Sequence, residues 1–348
     1  MTPLKIGIIG AGGIAGAHLP HLAARDDVEL FAVADVNQDA AQALADKWQI
    51  AQATGDYKSW LPDADAVLIC VPTWLHSEIA VQTLRAGKAT FCEKPMARTR
   101  EQGEAILQAQ QESGAPLQVG FVRRFDDEWL AWREAVLSNK IGRPIVWRDI
   151  MSGAGPWHAP WFTQDEKGGG PFLDGCIHNL DFALWTFGSP DWVFAHGRTL
   201  RPGNTAIDTG TATIRFQSGD ELLLAWSWGL PKDCNGGRIF ELFGPQGILR
   251  FPGGAPDENG QRRFVVTRGA PVQNGNADEP IEDETITFPS DALTAGFKAQ
   301  MDEFIAVARS ETRPRADGQA GFDSLNLALA LLESAHTGEK VSLDRFEL

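Results

Sequence analysis

Residues 4–24 constrain this chain more tightly than any other stretch. Leu4–Ile9 is a largely apolar run with Lys5 its one charge, Gly10-Ala11-Gly12-Gly13-Ile14-Ala15 follows it at once, and a helix-like segment near Ile14–Ala24 comes next. An apolar run that enters a glycine-rich turn and leaves as a helix reads as the opening of a dinucleotide-binding unit. Gly10 allows the tight turn, Gly12 lets the backbone approach a pyrophosphate, and Ala15 lets helix and strand pack closely. The amides that open the helix, around Gly13 and Ile14, offer unpaired N–H groups and a positive dipole end to phosphates. Alone, such a loop could be an ordinary strand–helix turn. Asp35 adds a second signal. It closes the apolar run Leu30–Ala34, about where a carboxylate that binds the ribose of NAD is expected. The pairing names NAD as the cofactor, and with no arginine in Val36-Asn37 to meet a 2′-phosphate, NAD over NADP.

The first 122 residues continue in the same alternation. Strand patterns at Leu30–Asp35, Ala66–Val71, Ala89–Glu93 and Leu117–Val122 are separated by helical patterns near Asp39–Trp48, Ser77–Ala86 and Arg100–Glu112. Thr99 with Gln102 forms a capping box, and Gly114 sits where a helix stops. This alternation implies a parallel sheet with helices on both faces and a ligand crevice beyond the carboxyl ends of its strands. At 348 residues the chain is long for one core, so two domains are expected, divided as 1–122 and 123–348.

After Phe125 the character changes. A helix over Asp127–Leu137 leads to a strand near Ile145–Met151, a Trp- and Gly-rich loop, and a helix from about Pro171 to Phe187. Strand patterns then dominate at Ala212–Gln217, Glu221–Trp228, Arg238–Phe243, Ile248–Phe251, Arg263–Thr267 and Glu284–Phe288, with Gly244–Gly247 as a hairpin turn. The second domain is therefore α/β with an open, largely antiparallel sheet. Gly253–Asp283, rich in Gly, Pro, Asn and acidic residues, reads as mobile loops. Helices near Asp291–Arg309 and Gly318–His336 close the chain.

Composition excludes several classes of function. A net charge of −15 argues against nucleic acid or an anionic membrane as partner. No apolar stretch approaches the roughly 20 residues of a membrane span, and a core strand beginning at Leu4 leaves no room for a secretory signal. Cys70, Cys92, Cys176 and Cys234 form no C-x-x-C pair, and no metal-ligand spacing occurs. Cys70 and Cys92 fall in apolar strand-like runs, so buried thiols there and a reducing cytoplasm are the expectation.

Three strand ends carry chemistry. Val71, Thr73, Trp74 and His76 follow one, Glu93-Lys94-Pro95 a second, and Arg123 a third. A lysine is ordinarily a surface charge, but Lys94 is placed at the crevice, and the bond to Pro95 restricts it to extended geometry and is open to a cis form. In the run from Gly168 to Asp181, Leu173, Ile177, Leu180 and Leu184 form an apolar helix face with Asp174, His178 and Asp181 as a polar stripe beside it. An aspartate one turn from a histidine suits a general base, and equally a helix-start carboxylate beside a structural histidine.

On Gly10–Ala15, Glu93-Lys94-Pro95 and Asp174-x-x-x-His178 within the Gly-Gly-Gly…His-Asn-Leu-Asp run, the chain resembles the glucose–fructose oxidoreductase / inositol dehydrogenase (Gfo/Idh/MocA) family, over nearly its whole length. The resemblance implies a Rossmann domain followed by a substrate-binding α/β domain whose open sheet forms subunit contacts, hence a homodimer or homotetramer. It implies an NAD-dependent dehydrogenase of sugars or polyols with Lys94, Asp174 and His178 as the catalytic trio. Val71, Thr73, His76, Glu93 and Lys94 then join Gly10, Gly12, Gly13, Ile14 and Asp35 around the cofactor. Lys94, Arg123, Trp157, His158, Asp174 and His178 face the substrate, with Trp74, Trp161, Asn179 and Asp181 as further contacts to either ligand. The resemblance also reaches non-catalytic regulators and enzymes that oxidise only transiently to cleave glycosides.

Overall fold

The computed structural model describes residues 2–234, 236–251, 258–259, 261–269, 282–289 and 291–343. The chain forms two compact units, Met1–Phe125 with Thr294–Leu325, and Asp126–Leu293 with Asn326–Leu348.

The first unit is built from β1 (Leu4–Ile9), α1 (Ala15–Ala23), β2 (Val28–Ala34), α2 (Gln38–Trp48), β3 (Gln52–Thr54), β4 (Ala66–Ile69), α3 (His76–Arg85), β5 (Ala89–Cys92), α4 (Arg100–Ser113) and β6 (Leu117–Val119). Its strands pair in the order β3-β2-β1-β4-β5-β6, all parallel. The order reverses between β1 and β4, which makes their carboxyl ends the switch point of the sheet. Every residue of β4 is buried, as a strand covered on both faces must be, and this explains its unbroken apolar run. The sequence reading passes over β3 because Gln-Ala-Thr carries neither alternation nor an apolar run. Thr99 caps α4 by accepting from Gln102 N at 3.3 Å, and Gly114 ends it at φ +70. The capping box is only half made, since Gln102 Oε1 accepts from Arg98 N instead.

The second unit comprises α5 (Asp127–Leu137), β7 (Val146–Ser152), α6 (Ile177–Phe187), β8 (Pro190–Arg198), β9 (Thr209–Phe216), β10 (Glu221–Ser227), β11 (Gly237–Gly244), β12 (Gly247–Arg250), β13 (Gln261–Arg268), β14 (Glu282–Pro289), α7 (Ala292–Ala308), α8 (Gly318–Thr337) and β15 (Val341–Ser342), with α7 and the start of α8 returning to the first unit. Its sheet runs β14-β13-β12-β11-β7-β10-β9-β8-β15. Among the described strands of this sheet only β7 and β10 pair in parallel, so the open, largely antiparallel sheet holds, with the Gly244–Gly247 hairpin in place. β8 escapes the sequence reading because Pro190, His196 and Gly197 interrupt its pattern. One sheet face is closed by an aromatic cluster: Trp132 of α5 lies 5.0 Å from Trp147 of β7 and 4.7 Å from Phe182 of α6. On the other face Leu223 and Ala225 stay partly exposed.

One expectation changes. A division at residues 122 and 123 places all later residues in the second domain, yet Met301, Phe304 and Ile305 of α7 pack into the first unit's core with Leu19, Val33, Leu68 and Phe91. An amphipathic helix does not announce which sheet it will cover. Most of Gly253–Asp283, read as mobile loops, lies outside the described residues. No helix among the described residues is long and apolar enough to cross a membrane.

Candidate functional site

The glycine loop takes the form its composition requires. Gly10 has φ +100, and a Cβ there would lie 2.5 Å from the main-chain oxygen of Cys70, so neither the conformation nor the space admits a side chain. Gly12 and Gly13 are exposed, and a Cβ on either would meet nothing within 4 Å. The loop is therefore closed on the protein side and open to solvent on the other, as a phosphate-binding turn requires. Ile14 precedes α1, and Ala15 is fully buried against the sheet. Asp35 directly follows β2 and fastens the loop: Oδ2 accepts from Ala11 N and Oδ1 from Asn37 N, both at 2.8 Å. Beside it Val36 is 93% exposed. These groups fit a dinucleotide, with amides for its phosphates, a carboxylate for a ribose and an apolar surface next to that carboxylate.

Further along the same sheet edge come the other strand ends. After β4, Val71 and Trp74 are half-buried and Thr73 is buried in a short 3-10 turn. After β5, Lys94 is half-buried and the Lys94–Pro95 bond is cis. Arg123 follows β6, also half-buried, in a 3-10 turn over Val122–Phe125. The sheet order thus lines up Asp35, the glycine loop, Thr73, Lys94 and Arg123 along one carboxyl edge.

Glu93 and His76, expected at the cofactor, are buried and hold this edge together. Glu93 Oε1 is 2.6 Å from His18 Nε2, and Oε2 accepts from Lys94 N at 3.1 Å. Burial pushes the Glu93 carboxyl up, but the His18 bond and the charges of His18 and Lys94 outweigh it and hold it below its ordinary range. His76 Nδ1 is 2.6 Å from Pro95 O and Nε2 is 2.8 Å from Val71 O. This side chain ties the end of β4 to the segment after β5. Cys70 and Cys92 are buried and free, and burial, with the charge of Glu93 adding to it, raises both thiols out of the reactive range.

In the second unit Gly168–Gly170 are buried and lead into a single π-turn, Pro171–Gly175, in which Cys176 N donates to Pro171 O at 2.8 Å. Asp174 lies buried in that turn, and His178 is half-buried in the first turn of α6. One continuous helix from Pro171 is therefore not formed. The turn closes over five residues, and Cys176, at φ −90 and ψ 4, separates it from α6. Asp174 and His178 keep their sequence spacing without sharing a regular helix face. Asn179 and Asp181 are buried, and Asn179 Nδ2 donates to Asp149 Oδ2 on β7. Trp157 and His158 are exposed, with Lys232 Nζ 3.9 Å from the centre of the Trp157 ring, and Trp161 stacks on Phe162 at 3.7 Å.

Sequence reasoning misses His18 and Asp149. Each stands far from its partner in the chain, and a lone histidine on an apolar helix face gives no sign of what it touches.

Two family models match. One, the oxidoreductase family with an NAD-binding Rossmann fold, covers residues 4–121, and the GFO/IDH/MocA C-terminal domain covers 129–250. The chain is 33% identical to a myo-inositol 2-dehydrogenase of Thermotoga maritima over 62% of this chain and 66% of that protein. It is 28% identical to a D-glucoside 3-dehydrogenase of Escherichia coli over 98% of both chains. Among solved structures, the WlbA dehydrogenase of Bordetella pertussis, in complex with NADH and UDP-GlcNAcA, is similar with a TM-score of 0.80 and 25% identity over 98% of this chain and 99% of that one.

Proposed function

From the premise that this chain belongs to the GFO/IDH/MocA family of NAD-binding oxidoreductases, we propose that it oxidises a ring hydroxyl of a cyclic polyol or a glycoside, with Lys94, Asp174 and His178 as its catalytic residues. NAD, when bound, supplies the hydride acceptor. His178 is the base that takes the hydroxyl proton. Lys94 donates to the substrate oxygen and stabilises the developing alkoxide. Asp174 orients His178 or a neighbouring hydroxyl. Trp157 and His158 offer an exposed aromatic and polar surface to the sugar, and Arg123 a cation to its hydroxyls.

The observation that carries this reading is the placement of Lys94. It leaves β5 at the same carboxyl edge as the glycine loop and Asp35, half-buried, and not on a solvated helix face. The test is NADH formation over a panel of myo-inositol, D-glucose, methyl glucosides, UDP-sugars and linear polyols. Steady oxidation of one class identifies the substrate. A protein that binds NADH and oxidises no member is a regulator, and one that releases glucose from a glucoside without accumulating NADH oxidises only transiently.

A further inference from the structure

The two residues that flank Lys94 are each gripped by a buried histidine from a different helix. His76, at the start of α3, holds the Pro95 carbonyl, and His18, on α1, holds the Glu93 side chain. The second contact has features that structural filling does not require. His18 is fully buried in T-shaped contact with Phe91 and Phe297, whose centroids lie 5.0 and 5.3 Å from its own. Its Nδ1 has no hydrogen-bond partner, so the ring is committed through Nε2 alone to Glu93 Oε1 at 2.6 Å. The other oxygen, Oε2, accepts the main-chain N–H of Lys94 at 3.1 Å. Gly120 closes the remaining side, since a Cβ there would lie 2.8 Å from Oε2.

A carboxylate buried at a strand end costs desolvation that an apolar side chain would avoid, so packing alone gives no reason for it. What this one does is fix one peptide N–H, that of the residue proposed to stabilise the alkoxide. We propose that His18 is a positioning residue: by donating from Nε2 to Glu93 it locks the carboxylate that holds the Lys94 amide, and so sets the backbone from which the Lys94 side chain leaves. The inference rests on the reading of Lys94 given above. It also places the anchor on α1, the helix that follows the glycine loop, one turn beyond Ala15.

The test compares full-length His18→Leu, His18→Gln, Gly120→Ala and Lys94→Ala with wild type. Each is followed by turnover on the fastest-oxidised member of the panel, NADH affinity by fluorescence, thermal melting, and hydrogen exchange at the Lys94 amide without cofactor. Lys94→Ala reports on the underlying reading, with a loss of about 10²–10³ in kcat expected for a charged donor to an oxyanion. His18→Leu is expected to lower kcat about 10–100-fold, as misplacing a catalytic group by about 1 Å does, while leaving the NADH Kd within about twofold. Its Lys94 amide exchanges at least about tenfold faster. His18→Gln, which keeps a donor, restores most of both. Gly120→Ala, which pushes on the same carboxylate from the opposite side, reproduces the kcat loss.

If Lys94→Ala turns over like wild type, the reading of Lys94 falls and this inference with it. If Lys94→Ala is impaired while folded His18→Leu stays within about threefold of wild type, only the role of His18 is overturned. Equal loss in His18→Gln and His18→Leu overturns it too. Should His18→Leu fail to fold, a folded Gly120→Ala with wild-type kcat and amide exchange does the same.

Discussion

Asp35 Oδ2 accepts the main-chain N–H of Ala11 at 2.8 Å, so the carboxylate that follows β2 also ties down the loop that follows β1. One side chain thus shapes the glycine loop, and in the proposed reading the same carboxylate is the acceptor for a ribose diol. A 2′-phosphate would bring a second negative charge to the same place. Wild-type protein is expected to favour NAD over NADP in kcat/KM. Asp35→Ser should narrow that ratio about 10–100-fold, the worth of a hydrogen bond to a charged group. A clear preference for NADP in the wild type would overturn the assignment of Asp35.

His178→Asn removes the proposed base while keeping a side chain of similar size. Turnover should fall about 10²–10⁴-fold. The wild-type rate of oxidation should climb with pH as the base loses its proton, and that ascending limb should vanish from the variant's residual activity. Profiles of log kcat/KM decide it. An unchanged limb in His178→Asn moves the base elsewhere, with Lys94 the first alternative, since coupled groups share their titration.

Acid stability should depend on Asp27, between α1 and β2. The Arg25 guanidinium, bonded to it at 2.9 Å, is the largest influence on its carboxyl; burial works against the shift, and Arg309 at 2.6 Å adds to it, leaving the group lowered to about 2. A carboxyl depressed in the folded state stabilises the fold above its ordinary range and loses that contribution as pH falls from about 4 toward 2. Asp27→Asn should therefore cost stability at pH 7, by about 1 kcal/mol or less because the cluster is partly exposed. Melting curves of variant and wild type should converge on acidification. Constant separation down to pH 2 would contradict this.

Assembly through the second-unit sheet should be visible in solution. Ile239, Ile150, Ala225 and Thr211 are cross-strand partners in one row on the face away from the aromatic cluster, and Ile239 is 44% exposed. An apolar row of this kind suits a symmetric interface. Light scattering should report a dimer or tetramer, and Ile239→Lys should shift it toward monomer. A wild-type monomer at micromolar concentration would refute the prediction.

Much of the first unit is determined by sequence alone. Strands covered on both faces are largely apolar, so β1, β4 and β5 show themselves locally despite Lys5 and Thr90, and the helices between them are legible from their period and caps. Gly10 is legible for the same reason, because its constraint comes from its own φ and the neighbouring strand. Asp35 is legible because one strand and one turn fix its distance from the loop. Lys94 and His178 stand out through their short motifs.

What only the tertiary structure decided are pairings between residues distant along the chain. His18 meets Glu93 across 75 positions and Asn179 meets Asp149 across 30. His76 turns inward to two carbonyls, where its position in the sequence suggested a ligand contact. The stripe of Asp174 and His178 breaks at a π-turn, and α7 joins the first unit's core rather than the second's. Local periodicity records which face of a segment is buried. It holds no record of which other segment supplies the burial, and a buried polar group takes its role from that partner.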